Sequence, residues 1–267
     1  MQIIIYENAL QVAESAAQWV KALIKKKPRP VLGLATGSTP ISLYKQLVAQ
    51  HKANGLNFKN VTTFNLDEYH QIDPSSPQSY RSFMAKNLFH HVNIDVNNTY
   101  LPTCAVGENP RVQGLAYEEK IKQQGGIDLQ VLGIGANGHI GFNEPTSSLM
   151  SRTRIKTLTH QTITDNSRLF KPDEEQPSMA MTMGIATIME AHYLLLMATG
   201  ANKASAVRDM IAGGVSAMCP ASALQMHENA IILLDKAVAS ELSDQRYFQW
   251  ADNENRKLIE DYGYFHN

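Results

Sequence analysis

The chain has 267 residues, 43% of them hydrophobic, with a formal net charge of −1 and two cysteines, Cys104 and Cys219. That length buries a full core as one large domain or two small ones. The near-zero charge excludes an electrostatic footprint for nucleic acid or an anionic membrane surface, and two cysteines argue against a disulfide scaffold or a Cys-rich metal site and fit a reducing compartment.

Met1–Glu7 lacks the basic and long apolar stretches of a signal peptide and reads as a first strand over Ile3–Tyr6. Asn8 can cap a helix with apolar positions Val12, Ala16, Val20 and Leu23, ending at Lys25–Lys27. Val31–Ala35 is a compact apolar strand and Pro40–Ala49 is helical in character. Val61–Leu66 is a strand that empties into Asp67–His70. Helices are expected over Tyr80–Phe89 and Val112–Gln123, then a buried strand over Leu129–Leu132. Arg154–Leu158 alternates as an exposed strand does. His192–Ala198 is an apolar strand, Ala201–Ile211 a helix, Ala230–Leu234 a last strand, and Asn255–Tyr262 helical.

This alternation predicts an α/β fold: an open, mostly parallel sheet with helices on both faces, its strands reading as continuous apolar runs. No linker, repeat or low-complexity tract divides the chain, so one domain over 1–267 is expected. Lys171–Pro177 is polar and bounded by prolines, which marks a candidate lid around 162–182; an ordinary surface loop is the competing reading. No window reaches the roughly 18 consecutive apolar residues of a membrane span, so a soluble cytoplasmic protein is expected.

In an open parallel sheet the carboxyl ends of the strands share one edge, where ligands bind. The loops Thr36–Pro40, Asp67–His70 and Gly133–Pro145 should therefore converge on one cleft. The third loop carries His139 and Glu144, a proton exchanger near neutral pH and a carboxylate able to orient it. Asp67 alone reads as a helix cap; the convergence favours a catalytic carboxylate. Thr36, Gly37, Ser38 and Thr39 open a helix whose free amides and positive dipole end can face an anion, although the turn alone reads as a capped junction. Arg168 and Lys203 are further phosphate ligand candidates, residues that are ordinarily just solvated. Gly133–Gly138 matches G-x-G-x-x-G in form, but Gly141 and Pro145 fall where that motif's helix would run, and no acid lies around Lys156–Leu158 to hold a ribose. His90–His91 read as surface and Met179–Met183 as core packing.

Leu34–Pro40, Phe64–Tyr69 and Gly138–Pro145, in this order over nearly the whole length, resemble the glucosamine-6-phosphate deaminase family. The resemblance implies a modified Rossmann-like fold and conversion of glucosamine 6-phosphate to fructose 6-phosphate and ammonia, with no cofactor and no metal. It implies Asp67 as the base moving a proton from C2 to C1, and His139 with Glu144 as the ring-opening pair. Asn137 departs from members that carry Asp there: it can hydrogen-bond but not ionise, which leaves Glu144 as the acidic partner of His139. The resemblance also implies a homohexamer activated by N-acetylglucosamine 6-phosphate, bound by Ser147, Ser148, Arg154, Lys156, Thr157 and Tyr247. Arg154 and Lys156, at i and i+2 of a strand, share a face; a charge-protected edge strand would look the same. Two rivals are a 6-phosphogluconolactonase, which needs no base at C2, and a sugar-phosphate-sensing regulator domain, which should carry a DNA-binding helix-turn-helix segment.

Overall fold

A computed structural model describes residues 1–159, 162–164, 170 and 176–264. Its strands are β1 (Gln2–Tyr6), β2 (Val31–Leu34), β3 (Thr62–Asn65), β4 (Asp67–Tyr69), β5 (Thr99–Tyr100), β6 (Leu129–Leu132), β7 (Arg154–Thr157), β8 (Met179–Thr182), β9 (Tyr193–Ala198) and β10 (Ala230–Asp235). Its helices are α1 (Ala9–Lys26), α2 (Ser38–Asn54), α3 (Tyr80–Asn87), α4 (Pro110–Gln123), α5 (Ile185–Met189), α6 (Ala204–Ala212) and α7 (Gln245–Tyr262).

Seven strands form a parallel sheet in the order β1-β10-β9-β6-β2-β3-β5. Successive residues of its strands feed opposite cores. Leu194, Leu196 and Ala198 pack under α4, α5 and α6, while Leu195 and Met197 pack under α1, α2 and α3. All six residues of β10 are buried, which is why the central strands read as unbroken apolar runs. Local signals set the ends of the helices. Asn8 accepts the amides of Leu10 and Gln11 at the start of α1, and Gly55, at φ 65, closes α2 in the left-handed conformation.

The expected mostly parallel sheet with helices on both faces is present, and a second sheet that was not expected accompanies it. β4, β8 and β7 form a separate antiparallel sheet in that order. Asp67–His70, expected as loop, supplies β4, and the alternating Arg154–Leu158 segment supplies the edge strand β7. Leu66 is the joint between the sheets: its amide donates to Leu34 O of the parallel sheet, and its carbonyl accepts from Met183 N beyond β8. In the Met-rich run Met181 and Met183 are fully buried in the core while Met179 is exposed, and Met179–Thr182 is also β8. Met179–Thr182 is thus sheet where the candidate lid range ended, and 165–169 and 171–175 of that range lie outside the described residues.

Other differences are ones of extent. A 3-10 turn at Ala201–Lys203 precedes α6, and α7 begins ten residues before Asn255. The sequence signal for α7 is weak because most of its residues face solvent, with Asp252 its buried residue. No helix among the described residues is long and apolar enough to cross a membrane.

Candidate active site

The chain order reverses between β2 and β6: β2 leads outward to β3 and β5, and β6 leads the other way to β9, β10 and β1. Ligands of open α/β sheets bind in the crevice at such a switch point. Here a cleft of about 620 Å³ opens beyond the carboxyl ends of β2 and β6. It is lined by Thr36–Pro40, by Asp67, by Gly133–Ala136 with His139, and by Lys203, so the three loops meet as the sequence predicts.

Asp67 sits where the chain passes from one sheet to the other, and it is 5% exposed. Burial pushes its carboxyl up to about 8; the neighbouring Glu68 charge adds to the rise, and a hydrogen bond with Thr36 opposes it. The Glu68 carboxylate turns away to cap α3, accepting the amides of Tyr69 and Tyr80 at 2.9 Å and of Arg81 at 3.0 Å. Burial raises the Glu68 carboxyl, and those amides lower it in part. The capped end of α3 carries Tyr80, which lines the cleft with its ring stacked on Phe142, centroids 6.1 Å apart.

His139 is held by a short relay. Its Nδ1 lies 2.7 Å from Asn137 Oδ1 and 3.4 Å from Glu144 Oε2, and Asn137 Nδ2 donates to Glu144 Oε2 at 2.8 Å. An amide oxygen only accepts, so Nδ1 carries the hydrogen and Nε2 is the basic nitrogen, an assignment drawn from the hydrogen-bond network. Asn137 is therefore more than a neutral replacement for an acid: it couples the carboxylate to the ring. Burial works against a charged Glu144, but His139, Thr162 and Asn137 outweigh it and hold the carboxyl down to about 2. Thr162 Oγ1 donates to Glu144 Oε1 at 2.5 Å.

Gly135 of this loop makes room for the histidine. A Cβ on Gly135 would stand 2.1 Å from His139 Cε1, so only glycine leaves room for the ring. No dinucleotide helix follows; Ile140 and Asn143 instead bridge to each other.

Across the cleft, α2 begins at Ser38 behind Gly37, whose φ of 96 lies in glycine territory, and no side chain among the described residues caps this helix end. The first-turn amides thus face the cleft as an anion site does. Lys203 Nζ donates to Thr39 Oγ1 at 3.3 Å, and burial lowers its pKa. The loop before Lys203 is tied down by Asp235, which accepts Gly200 N at 3.1 Å and Val238 N at 2.8 Å. Arg168 lies outside the described residues.

The six residues of the expected effector site fall on three segments. Ser147 is buried with its Oγ unpaired among the described residues, and Ser148 is exposed. Arg154 and Lys156 lie half-buried on β7 beside the exposed Thr157. Tyr247, 61% exposed, is on α7 with Phe248 and Trp250 as ring neighbours. Tyr80, Asn143, Thr162 and Thr182 carry structural roles here that sequence reading missed. Asn143 stands inside the quoted motif, yet nothing in its local pattern shows that it is fully buried and hydrogen-bonded.

Residues 6–233 match the family model described as glucosamine-6-phosphate isomerases/6-phosphogluconolactonase. A glucosamine-6-phosphate deaminase of Colwellia psychrerythraea is 66% identical over the full length of both chains, and one of Pseudoalteromonas translucida is 56% identical over 99% of each. The chain belongs to the glucosamine-6-phosphate deaminase family. A solved monomeric glucosamine-6-phosphate deaminase superposes with a TM-score of 0.87 at 39% identity, over 90% of this chain and 99% of that one. The 6-phosphogluconolactonase of Trypanosoma brucei, at 20% identity and a TM-score of 0.67 over 91% of this chain and 98% of its own, shares the fold alone.

Proposed function

We propose that this chain converts D-glucosamine 6-phosphate and water to D-fructose 6-phosphate and ammonia, in amino-sugar catabolism. The observation that carries this reading is one cleft holding two groups of opposite acid–base character. Asp67 is a carboxyl raised to about 8, and His139 is a ring whose Nε2 is left basic by its Nδ1 partner.

The steps follow from that arrangement. The phosphate rests on the first-turn amides of α2, with Thr39 and Lys203 beside it and Arg168 as a further ligand. Anchoring this remote group fixes the reacting carbons, an effect that contributes roughly 7–11 kcal/mol in favourable cases. His139 Nε2 takes the anomeric hydroxyl proton and returns one to the ring oxygen, which opens the sugar. Asp67, ionised, then takes the C2 proton and delivers it to C1 through an enolamine. The substrate's own C2 ammonium helps here: a cation beside the buried carboxyl draws its pKa down and favours the basic form. Water then adds at C2 and ammonia leaves. Glu144 stays ionised throughout, its pKa near 2 far below neutrality.

Regulation forms part of the same reading. N-acetylglucosamine 6-phosphate activates a homohexamer by placing its phosphate against Arg154 and Lys156, with Ser147, Ser148, Thr157 and Tyr247 completing the site. The buried Ser147 Oγ, unpaired among the described residues, and a half-buried Arg154 guanidinium support an anion there. The likeness to a monomeric deaminase makes assembly state the sharper question. A coupled assay for ammonia and fructose 6-phosphate, run with and without this effector alongside sedimentation, tests both parts. Stoichiometric products support the reaction. A hyperbolic, effector-insensitive monomer removes the regulatory half alone.

A further inference from the structure

Three consecutive residues of the catalytic loop lie across the small antiparallel sheet. Asp67 pairs with Thr182, and Thr182 pairs with Arg154, so one transverse row runs from β4 through β8 to β7. Residues directly opposed in this way project to the same face. Gly141 sits over the first half of the row: a Cβ built on it would stand 3.0 Å from Thr182 Oγ1 and 3.4 Å from Asp67 Oδ2. The Phe142 amide donates to Thr182 Oγ1 at 3.1 Å. Asn143 Oδ1 accepts from Arg154 Nη1 at 2.9 Å, while Asn143 Nδ2 donates to Ile140 O at 2.9 Å and Met183 O at 2.8 Å. Asn143 and Thr182 are fully buried.

From this register we infer that Arg154 is a positioning residue for the reaction: through Asn143 its guanidinium seats Gly141–Asn143 on the Asp67–Thr182 row and so fixes the His139–Glu144 pair relative to Asp67. The segment it holds lies between those two residues in the chain, so a shift of Asn143 moves one or both. Arg154 suits the role because little else competes for it. Among the described residues no carboxylate forms an ion pair with it, and its other hydrogen bond there is to Arg152 O at 3.2 Å, again from Nη1. An arginine that bonds inward through Nη1 keeps the rest of its fork for an anion arriving from outside. The inference rests on the proposed reaction and deepens its regulatory half, because an anion on Arg154 would pull on the catalytic loop directly.

The test uses the full chain and glucosamine 6-phosphate, without effector. Arg154→Gln is expected to lower kcat about tenfold while KM stays within about twofold, since misplacement by an ångström can cost up to ~10²-fold. Arg154→Lys, which can still reach Asn143 Oδ1, is expected to recover part of that loss. Asn143→Asp keeps an acceptor for Arg154 but loses both Nδ2 bonds, and should lower kcat as well. The Arg154→Gln/Asn143→Asp double variant should be no worse than the poorer single one, because residues acting as one unit are not additive. If Arg154→Gln does not fold, the Arg154→Lys and Asn143→Asp kinetics carry the same test. Wild-type kcat in effector-free Arg154→Gln, a loss confined to KM, or losses that multiply in the double variant would each overturn the inference. Arg154→Gln with normal effector-free kcat but no response to N-acetylglucosamine 6-phosphate sinks this link and leaves the effector reading standing. A wild type that ignores the effector, with a slowed Arg154→Gln, does the reverse. An inert wild type overturns both.

Discussion

Replacing Asp67 by Asn should abolish deamination and, at alkaline pH, stabilise the protein. Burial, before any other cause, pushes the native carboxyl up to about 8, against about 3.8 for an exposed aspartate. A group whose folded pKa is raised binds its proton more tightly in the native state. It therefore contributes stability that is whole below about 4 and is lost as pH rises through about 8. Across the whole window the loss is on the order of 5 kcal/mol, from about 1.4 kcal/mol per pKa unit. Between pH 6 and pH 8.5 the wild type should lose roughly 2–3 kcal/mol that Asn, which does not titrate, keeps. For a chain this size that is a gain in Tm difference of about 5–8 °C. The assay is thermal unfolding of both proteins at the two pH values, with ammonia release measured in parallel. A variant that stays active, or a Tm difference flat between pH 6 and pH 8.5, would refute both the buried base and its role. The same titration predicts that kcat/KM of the wild type rises with pH toward about 8 as the base ionises.

Glu144 behaves in the opposite sense. Its depressed pKa contributes stability at neutral pH that is lost as pH falls from about 4.5 through about 2, so Glu144→Gln should flatten the acid limb of a Tm–pH curve as well as lower kcat by about 10²-fold. Gly135→Ala puts a Cβ 2.1–2.5 Å from the His139 ring. At least a tenfold loss of kcat, with about 1–3 kcal/mol of destabilisation, is expected in parallel kinetics and melts. Lys203→Met removes a half-buried cation beside Thr39; kcat/KM should fall by about 10²-fold and competitive inhibition by inorganic phosphate should weaken in step, as a phosphate anchor requires.

Much of the architecture was legible because it is local. Apolar runs such as Leu194–Ala198 and caps such as Asn8 carry their strand and helix assignments in a few residues. The convergence of the loops carrying Thr36, Asp67 and His139 followed from the rule that parallel strands end on one edge. The second sheet did not, because β4 is three residues long and pairs with β8, more than a hundred residues away, a contact with no local signature. Thr162 and Asn143 were missed for the same reason: a threonine bonded to Glu144 and an asparagine bonded to Arg154 look like any polar residue until the fold closes. Asn137 was read correctly as unable to ionise. Its insertion between His139 and Glu144 depends on a loop geometry that Gly135 and Gly138 make possible.

Incubating glucosamine 6-phosphate deuterated at C2 with the wild type and with Asp67→Asn addresses the chemistry at its centre. We predict that the wild type breaks the C2–deuterium bond once for every ammonia released and that Asp67→Asn breaks none. Ammonia released with that bond intact, or continued cleavage by Asp67→Asn, would contradict the account.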